Sequence, residues 1–171
     1  MTRAKGYSLW LMPTGDVYVR LAEIISHLSK EYNTPQFEPH ITLIGEIEGS
    51  EQEIMSKTKQ LLSATNQFPI NLTQVDYLNQ YFRCLFLRAD ETVGLMDANK
   101  RAREIFSRQY DPKFMPHLSL MYGDFTLELK EQIIRETGRN FNINFNVPSV
   151  HLFSTNGEPK DWYRVTEFPF K

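Results

Sequence analysis

Cysteine is nearly missing from this chain: Cys84 stands alone among 171 residues. No intrachain disulfide can form, which points to a reducing compartment. Excess charge of either sign is missing too, since Lys+Arg 19 against Asp+Glu 21 leaves a formal net charge of −2 at pH 7. A protein that holds duplex nucleic acid through a basic surface is not expected from that balance, although a local basic patch is compatible with it. Long hydrophobic runs do not occur near the start. Only the mainly apolar Tyr7–Met12 stands between Gly6 and Pro13, too short for a signal-peptide core or a transmembrane helix. The expectation is a cytoplasmic protein (the nucleus is not distinguished) with no membrane partner. No low-complexity tract argues for disorder, and a hydrophobic fraction of 41% is enough for a core. One domain of two lobes over residues 1–171 suits this length.

What the chain does contain is a short pattern that occurs twice. Pro39-His40-Ile41-Thr42-Leu43-Ile44-Gly45 is matched by Pro116-His117-Leu118-Ser119-Leu120-Met121-Tyr122-Gly123. In an extended strand, residues i and i+2 share a face. His40 and Thr42 then point one way while Ile41 and Leu43 point the other, and His117 and Ser119 repeat this against Leu118 and Leu120. Each copy offers one imidazole and one hydroxyl on the polar side of a half-buried strand. Two such strands facing each other would assemble two proton carriers and two hydroxyl donors, a set of groups suited to a phosphate ester.

The rest of the chain reads as alternating elements. Tyr7–Met12 alternates as a strand, and Val17, Leu21, Ile24, Ile25 and Leu28 follow helical spacing to about Tyr32. Ser50 and Glu53 form a capping box ahead of a second helix. Phe68–Tyr77 and Tyr81–Arg88 read as strands, Glu91–Gln109 as a helix, and a further helix runs from Asp124-Phe125-Thr126 to Gly138. Phe145–Ser154 and Trp162–Phe168 close the chain as strands. The order β-α-β-α-β-β-α-β-α-β-β predicts an α+β fold of mostly antiparallel sheet in two similar lobes, each supplying one His strand.

Single histidines on regular elements are more often structural than catalytic, which is the reading for His27 and His151. Repetition at matching offsets reverses that reading for His40 and His117. As metal ligands the pair is weak, because zinc takes three or four protein ligands and no His/Cys/Asp cluster stands beside either. Cys84 reads as a buried thiol. Arg83 and Arg88 could reach a phosphate, yet solvated strand arginines are commoner. Trp10 lies on the opposite parity to Tyr7, Leu9 and Leu11, so it either faces a cleft and stacks on a base or covers the sheet. Tyr122 is open in the same way.

These residues resemble the 2H phosphoesterases, named for two His-x-(Thr/Ser)-apolar tetrads, here His40-Ile41-Thr42-Leu43 and His117-Leu118-Ser119-Leu120. Tyr7-Ser8-Leu9-Trp10, Tyr81-Phe82-Arg83-Cys84, His117–Asp124, Leu152-Phe153-Ser154-Thr155 and Trp162-Tyr163-Arg164-Val165 are similar to the plant and fungal cyclic phosphodiesterase branch, nearly over the full length. The resemblance implies a two-lobed fold with a pseudo-twofold and a central cleft. It also implies metal- and cofactor-free hydrolysis of nucleoside 2′,3′-cyclic phosphates to 2′-phosphates, or of ADP-ribose 1″,2″-cyclic phosphate, by a monomer acting on small molecules. By match to the tetrads, His40 and His117 are the catalytic pair and Thr42 and Ser119 the phosphate ligands, with Trp10 and Tyr122 lining the nucleotide pocket. The resemblance alone puts His117 as base and His40 as acid. Two alternatives remain: action on RNA ends or 2′,5′-linked oligonucleotides, and a nucleotide sensor without turnover.

Overall fold

The computed structural model describes residues 3–171. Its strands are β1 (Tyr7–Leu11), β2 (Ile41–Ile47), β3 (Pro69–Asp76), β4 (Leu85–Ala89), β5 (His117–Met121), β6 (Asn140–Asn146), β7 (Ser149–Ser154) and β8 (Tyr163–Pro169). Its helices are α1 (Gly15–Tyr32), α2 (Glu51–Ser63), α3 (Val93–Ile105) and α4 (Leu127–Thr137). The strands join in one sheet ordered β6-β3-β4-β5-β2-β1-β7-β8, with every neighbouring pair antiparallel. The fold is thus α+β and antiparallel, as the element pattern predicts. Among the described residues, no helix is long and apolar enough to cross a membrane.

Two four-stranded halves meet at the β2–β5 seam, where a single pair, Ile41 with Leu118, is in register. On either side of that pair the two strands diverge, and the sheet opens into a cleft. Helices cross the seam reciprocally: α1, which follows β1 in one half, packs on β5 of the other, and α3, which follows β4, packs on β2. Ile41, Leu43, Leu118 and Leu120 are at most 1% exposed within the core. Each contributes about 1.5–3 kcal/mol by leaving water. That burial locks the register, because a slip of one residue would drive the imidazoles into the core and these four side chains into solvent.

Helix ends follow their sequence signals. The Ser50 side chain accepts from the Glu53 amide at 3.2 Å, and the Thr126 hydroxyl accepts from the Leu129 amide at 3.3 Å, each satisfying a first-turn donor. Gly138, at φ 93°, closes α4, a conformation that glycine adopts without a Cβ penalty.

Two expected elements differ. Tyr81–Arg88 is not one strand, because Tyr81–Arg83 winds into a 3-10 turn and pairing begins at Leu85. Four hydrogen bonds hold that turn: Arg83 N–H to the Gln80 carbonyl at 3.1 Å, Leu78 N–H to the Arg83 carbonyl at 2.9 Å and Gly123 N–H to the Tyr81 carbonyl at 3.0 Å, and Ser119 Oγ to the Phe82 carbonyl at 3.2 Å. Phe145–Ser154 is two strands in opposite halves, with β6 on β3 and β7 on β1. Pro148 stands between them and has no N–H for a ladder. The start of β6, Asn-Phe-Asn-Ile, escapes a propensity reading because asparagine is depleted in strands; partnering by β3 overrides that preference.

Candidate active site

The Pro-His dipeptides place both imidazoles. A proline keeps the residue before it extended, so Glu38 and Met115 lead into the two histidines with similar geometry. His40 Nδ1 lies 2.7 Å from the Glu38 carbonyl, and His117 Nδ1 lies 2.8 Å from the Met115 carbonyl. A carbonyl only accepts, so Nδ1 carries the proton in both rings and Nε2 is the nitrogen left for chemistry. Both histidines line one cavity of about 550 Å³ together with Thr42, Ser119, Trp10 and Tyr122. Continuing the antiparallel register from Ile41 and Leu118 sets His40 across from Ser119 and Thr42 across from His117. Each imidazole therefore faces the other tetrad's hydroxyl.

Neither ring is readily charged in the empty cleft. Burial drives His40 down to about 3, against the opposing pull of the Glu38 carbonyl, with His117 adding a small like-charge effect. Burial likewise drives His117 down to about 4, opposed by the Met115 carbonyl and reinforced by Arg83 and Arg88. Both imidazoles are neutral at pH 7 until something anionic enters.

The hydroxyls are not equivalent. Among the described residues, Thr42 has no protein hydrogen-bond partner, whereas Ser119 Oγ donates to the Phe82 carbonyl at 3.2 Å. Ser119 also adjoins the phenol of Tyr122, which burial pushes well above the ordinary tyrosine value and keeps protonated. Tyr122 is 3% exposed and stacks on Phe37 with ring centroids 3.9 Å apart.

Trp10 is buried beside His40. It lines the cavity, but its faces are taken: His40 lies parallel at 3.5 Å and Phe153 at 3.8 Å, one from each neighbouring strand. Stacking of a base on Trp10 is closed off, and the indole instead supports the His40 ring. Phe82, Phe114 and Trp162 are half-buried aromatics on the cavity wall, with the Phe82 and Trp162 centroids 5.9 Å apart. Phe82 and Trp162 stand in segments that carry the family resemblance, but sequence alone does not place them at the cleft, because the approach of those segments to the seam depends on distant contacts.

His27 and His151 lie away from the cavity lining. His27 pairs with Glu31 on the exposed face of α1 at 3.0 Å. His151 is buried on β7 near Ser149 and Glu167. Cys84 is fully buried, and burial pushes its thiol up to about 11, so it is not a nucleophile. Among the described residues no cluster of His, Cys, Asp and Glu could hold a metal ion.

The profile of the cyclic phosphodiesterase-like proteins matches residues 5–167. The chain belongs to that family. This cyclic phosphodiesterase-like chain is 26% identical over 125 residues to a cyclic phosphodiesterase of Arabidopsis thaliana, a match covering 73% of this chain and 69% of the relative. It is 28% identical over 142 residues to a 2′,3′-cyclic-nucleotide 3′-phosphodiesterase of Yarrowia lipolytica, covering 78% of this chain and 64% of that protein. In fold it superposes on a crystal structure from Thermus thermophilus with a TM-score of 0.70 at 16% identity, covering 96% of this chain and 97% of that one. E. coli LigT complexed with phosphate gives a TM-score of 0.65 at 12% identity, covering 99% of each chain. The 2H phosphoesterase fold implied by the tetrads is the fold this cyclic phosphodiesterase-like chain has.

Proposed function

We propose that this chain is a hydrolase of nucleoside 2′,3′-cyclic phosphates, acting through His40 and His117 without a metal. The observation that carries the reading is the pair of imidazoles, each with Nδ1 held by the carbonyl two residues before it and each turning Nε2 toward one cavity. Relatives named for cyclic phosphodiester hydrolysis support it, and the fold neighbour LigT has been crystallised with 3′-AMP.

In this mechanism His117 Nε2 takes a proton from water as the oxygen attacks phosphorus. The bond from phosphorus to the 3′ oxygen breaks, and His40 Nε2 gives its proton to that oxygen, leaving a 2′-phosphate. Burial, with Arg83 and Arg88, keeps His117 neutral, the form in which a base starts. The face of Trp10 stabilises a charged His40 by a cation–π contact. In the empty cleft burial presses harder on His40 than on His117. The incoming phosphodiester anion reverses that order by favouring the imidazolium that its leaving oxygen touches. Thr42 donates to a non-bridging oxygen, where negative charge gathers.

The nucleoside would lie against Phe82 and Trp162, with Tyr122 beneath them. Small cyclic nucleotides are the first substrates to test, with ADP-ribose 1″,2″-cyclic phosphate beside them; the near-neutral charge of the chain argues against a long basic track for RNA. A turnover assay with adenosine 2′,3′-cyclic phosphate in the presence of a chelator tests the reading. Product formation is expected, as adenosine 2′-phosphate. Absence of turnover on every cyclic phosphodiester, or turnover abolished by chelation and restored by one divalent ion, would overturn it.

A further inference from the structure

The two tetrads are near repeats, yet their hydroxyls do different things. Thr42 is free to donate into the cavity. Ser119 has one hydroxyl proton and gives it to the Phe82 carbonyl at 3.2 Å. The cleft thus has one donor fewer than the repeat implies. The turn that takes this proton carries Arg83 at its end, and Arg83 lines the same cavity.

Four cations line the cavity: Arg83, Arg103, Arg108 and Lys113. Three are engaged. Arg103 donates to the Asp111 and Pro112 carbonyls at 3.2 and 2.6 Å. Arg108 pairs with Asp111 at 2.9 Å and donates to the Gly45 and Glu46 carbonyls at 3.1 Å each. Lys113 pairs with Glu91 at 3.2 Å. Arg83, half-buried, has no side-chain hydrogen bond or ion pair among the described residues. Its backbone, by contrast, is held firmly, since Arg83 N–H donates to the Gln80 carbonyl at 3.1 Å and its own carbonyl accepts from Leu78 N–H at 2.9 Å. A half-buried guanidinium without a partner, on an anchored turn facing a catalytic cavity, is matched to an anion.

We infer that Arg83 is a substrate-contacting residue, binding the phosphate of the cyclic ester beside His117 and supplying the donors that Ser119 has committed elsewhere. Its influence on His117 is consistent with that position, because it ranks ahead of Arg88, the residue directly across from His117 on β4. The guanidinium fork presents its N–H groups to a non-bridging oxygen and offsets the charge that grows on it as water attacks. No protein contact has to break for it to do so.

This inference rests on the cleft being a phosphodiester site, and its test separates the two. Arg83→Gln, Arg83→Lys and Arg83→Ala are assayed with adenosine 2′,3′-cyclic phosphate, and inorganic phosphate binding is measured by calorimetry on the same proteins. Arg83→Gln is expected to lower kcat/KM about 10- to 100-fold and to weaken phosphate binding by a comparable factor. Arg83→Lys is expected to recover part of both, and added guanidinium ion to restore part of the Arg83→Ala rate; a purely structural arginine would not respond to free guanidinium. Unchanged urea unfolding midpoints check the fold, and the Lys variant keeps the test open should Gln or Ala fail to fold. If the native protein does not turn over the substrate, the functional reading fails while the phosphate titration still tests Arg83. Arg83→Gln with kcat/KM and phosphate affinity within twofold of the native protein, or guanidinium without effect on Arg83→Ala, would overturn the inference.

Discussion

Acidification should destabilise this protein through its two cleft histidines, by an amount that follows from their burial. An unfolded histidine titrates near 6.5, whereas burial holds His40 at about 3 and His117 at about 4. Below pH 6.5 the unfolded chain therefore binds protons that the folded chain refuses, and stability falls as pH falls. The contribution is complete above about pH 6.5 and is lost progressively toward pH 4 for His117 and pH 3 for His40. Each histidine removes up to 1.36 kcal/mol per pH unit inside its window. Between pH 7 and pH 5 that is about 2 kcal/mol for buried His40. Half-buried His117, partly screened by solvent, removes on the order of 1–2 kcal/mol. The perturbation is the double variant His40→Gln/His117→Gln, whose side chains do not titrate. Urea unfolding of both proteins at pH 7 and pH 5 gives the loss for each, and effects of all other groups cancel in the difference. The native protein should lose about 3–4 kcal/mol more than the variant over this interval. Equal losses, or imidazole resonances that titrate near pH 6.5 by NMR, would refute the reasoning.

Other outcomes follow from the site. His40→Ala and His117→Ala should each lower kcat at least roughly 10²-fold, and the double variant should be scarcely worse than the worse single one, because the pair acts as a unit. A folded single variant with near-native turnover would remove that histidine from the chemistry. Thr42→Ala should cost roughly 10- to 10³-fold in kcat, and Ser119→Ala distinctly less, because the Ser119 proton already belongs to Phe82. Equal losses in steady-state kinetics would show that Ser119 turns toward the substrate.

The repeat was the most legible feature, because strand parity and proline geometry are local. They place His40 and Thr42 on one face and Ile41 and Leu43 on the other without reference to any other part of the chain. Helix starts at Ser50 and Thr126 and the stop at Gly138 were legible for the same reason. Tyr81–Arg83 was not: its aromatic content suits a strand, and bonds to Gln80, Leu78, Gly123 and Ser119 turn it into a 3-10 turn. The division at Pro148 was visible as a proline, but not that β6 and β7 would pair in opposite halves of the sheet.

By itself, then, the chain's order of residues determined the α+β class, most of the helices and strands, and the polar faces of the two tetrads. Tertiary structure decided that β2 and β5 meet, that Trp10 is enclosed by His40 and Phe153, that Phe82 and Trp162 lie on the cavity wall, and that Arg83 is, among the described residues, the cavity cation left without a side-chain partner. Backbone geometry and hydrophobic period act over a few residues and can be read in order. Pairing across the seam joins residues far apart in the chain, and it is settled by burial of Ile41, Leu43, Leu118 and Leu120 beneath helices from the opposite half.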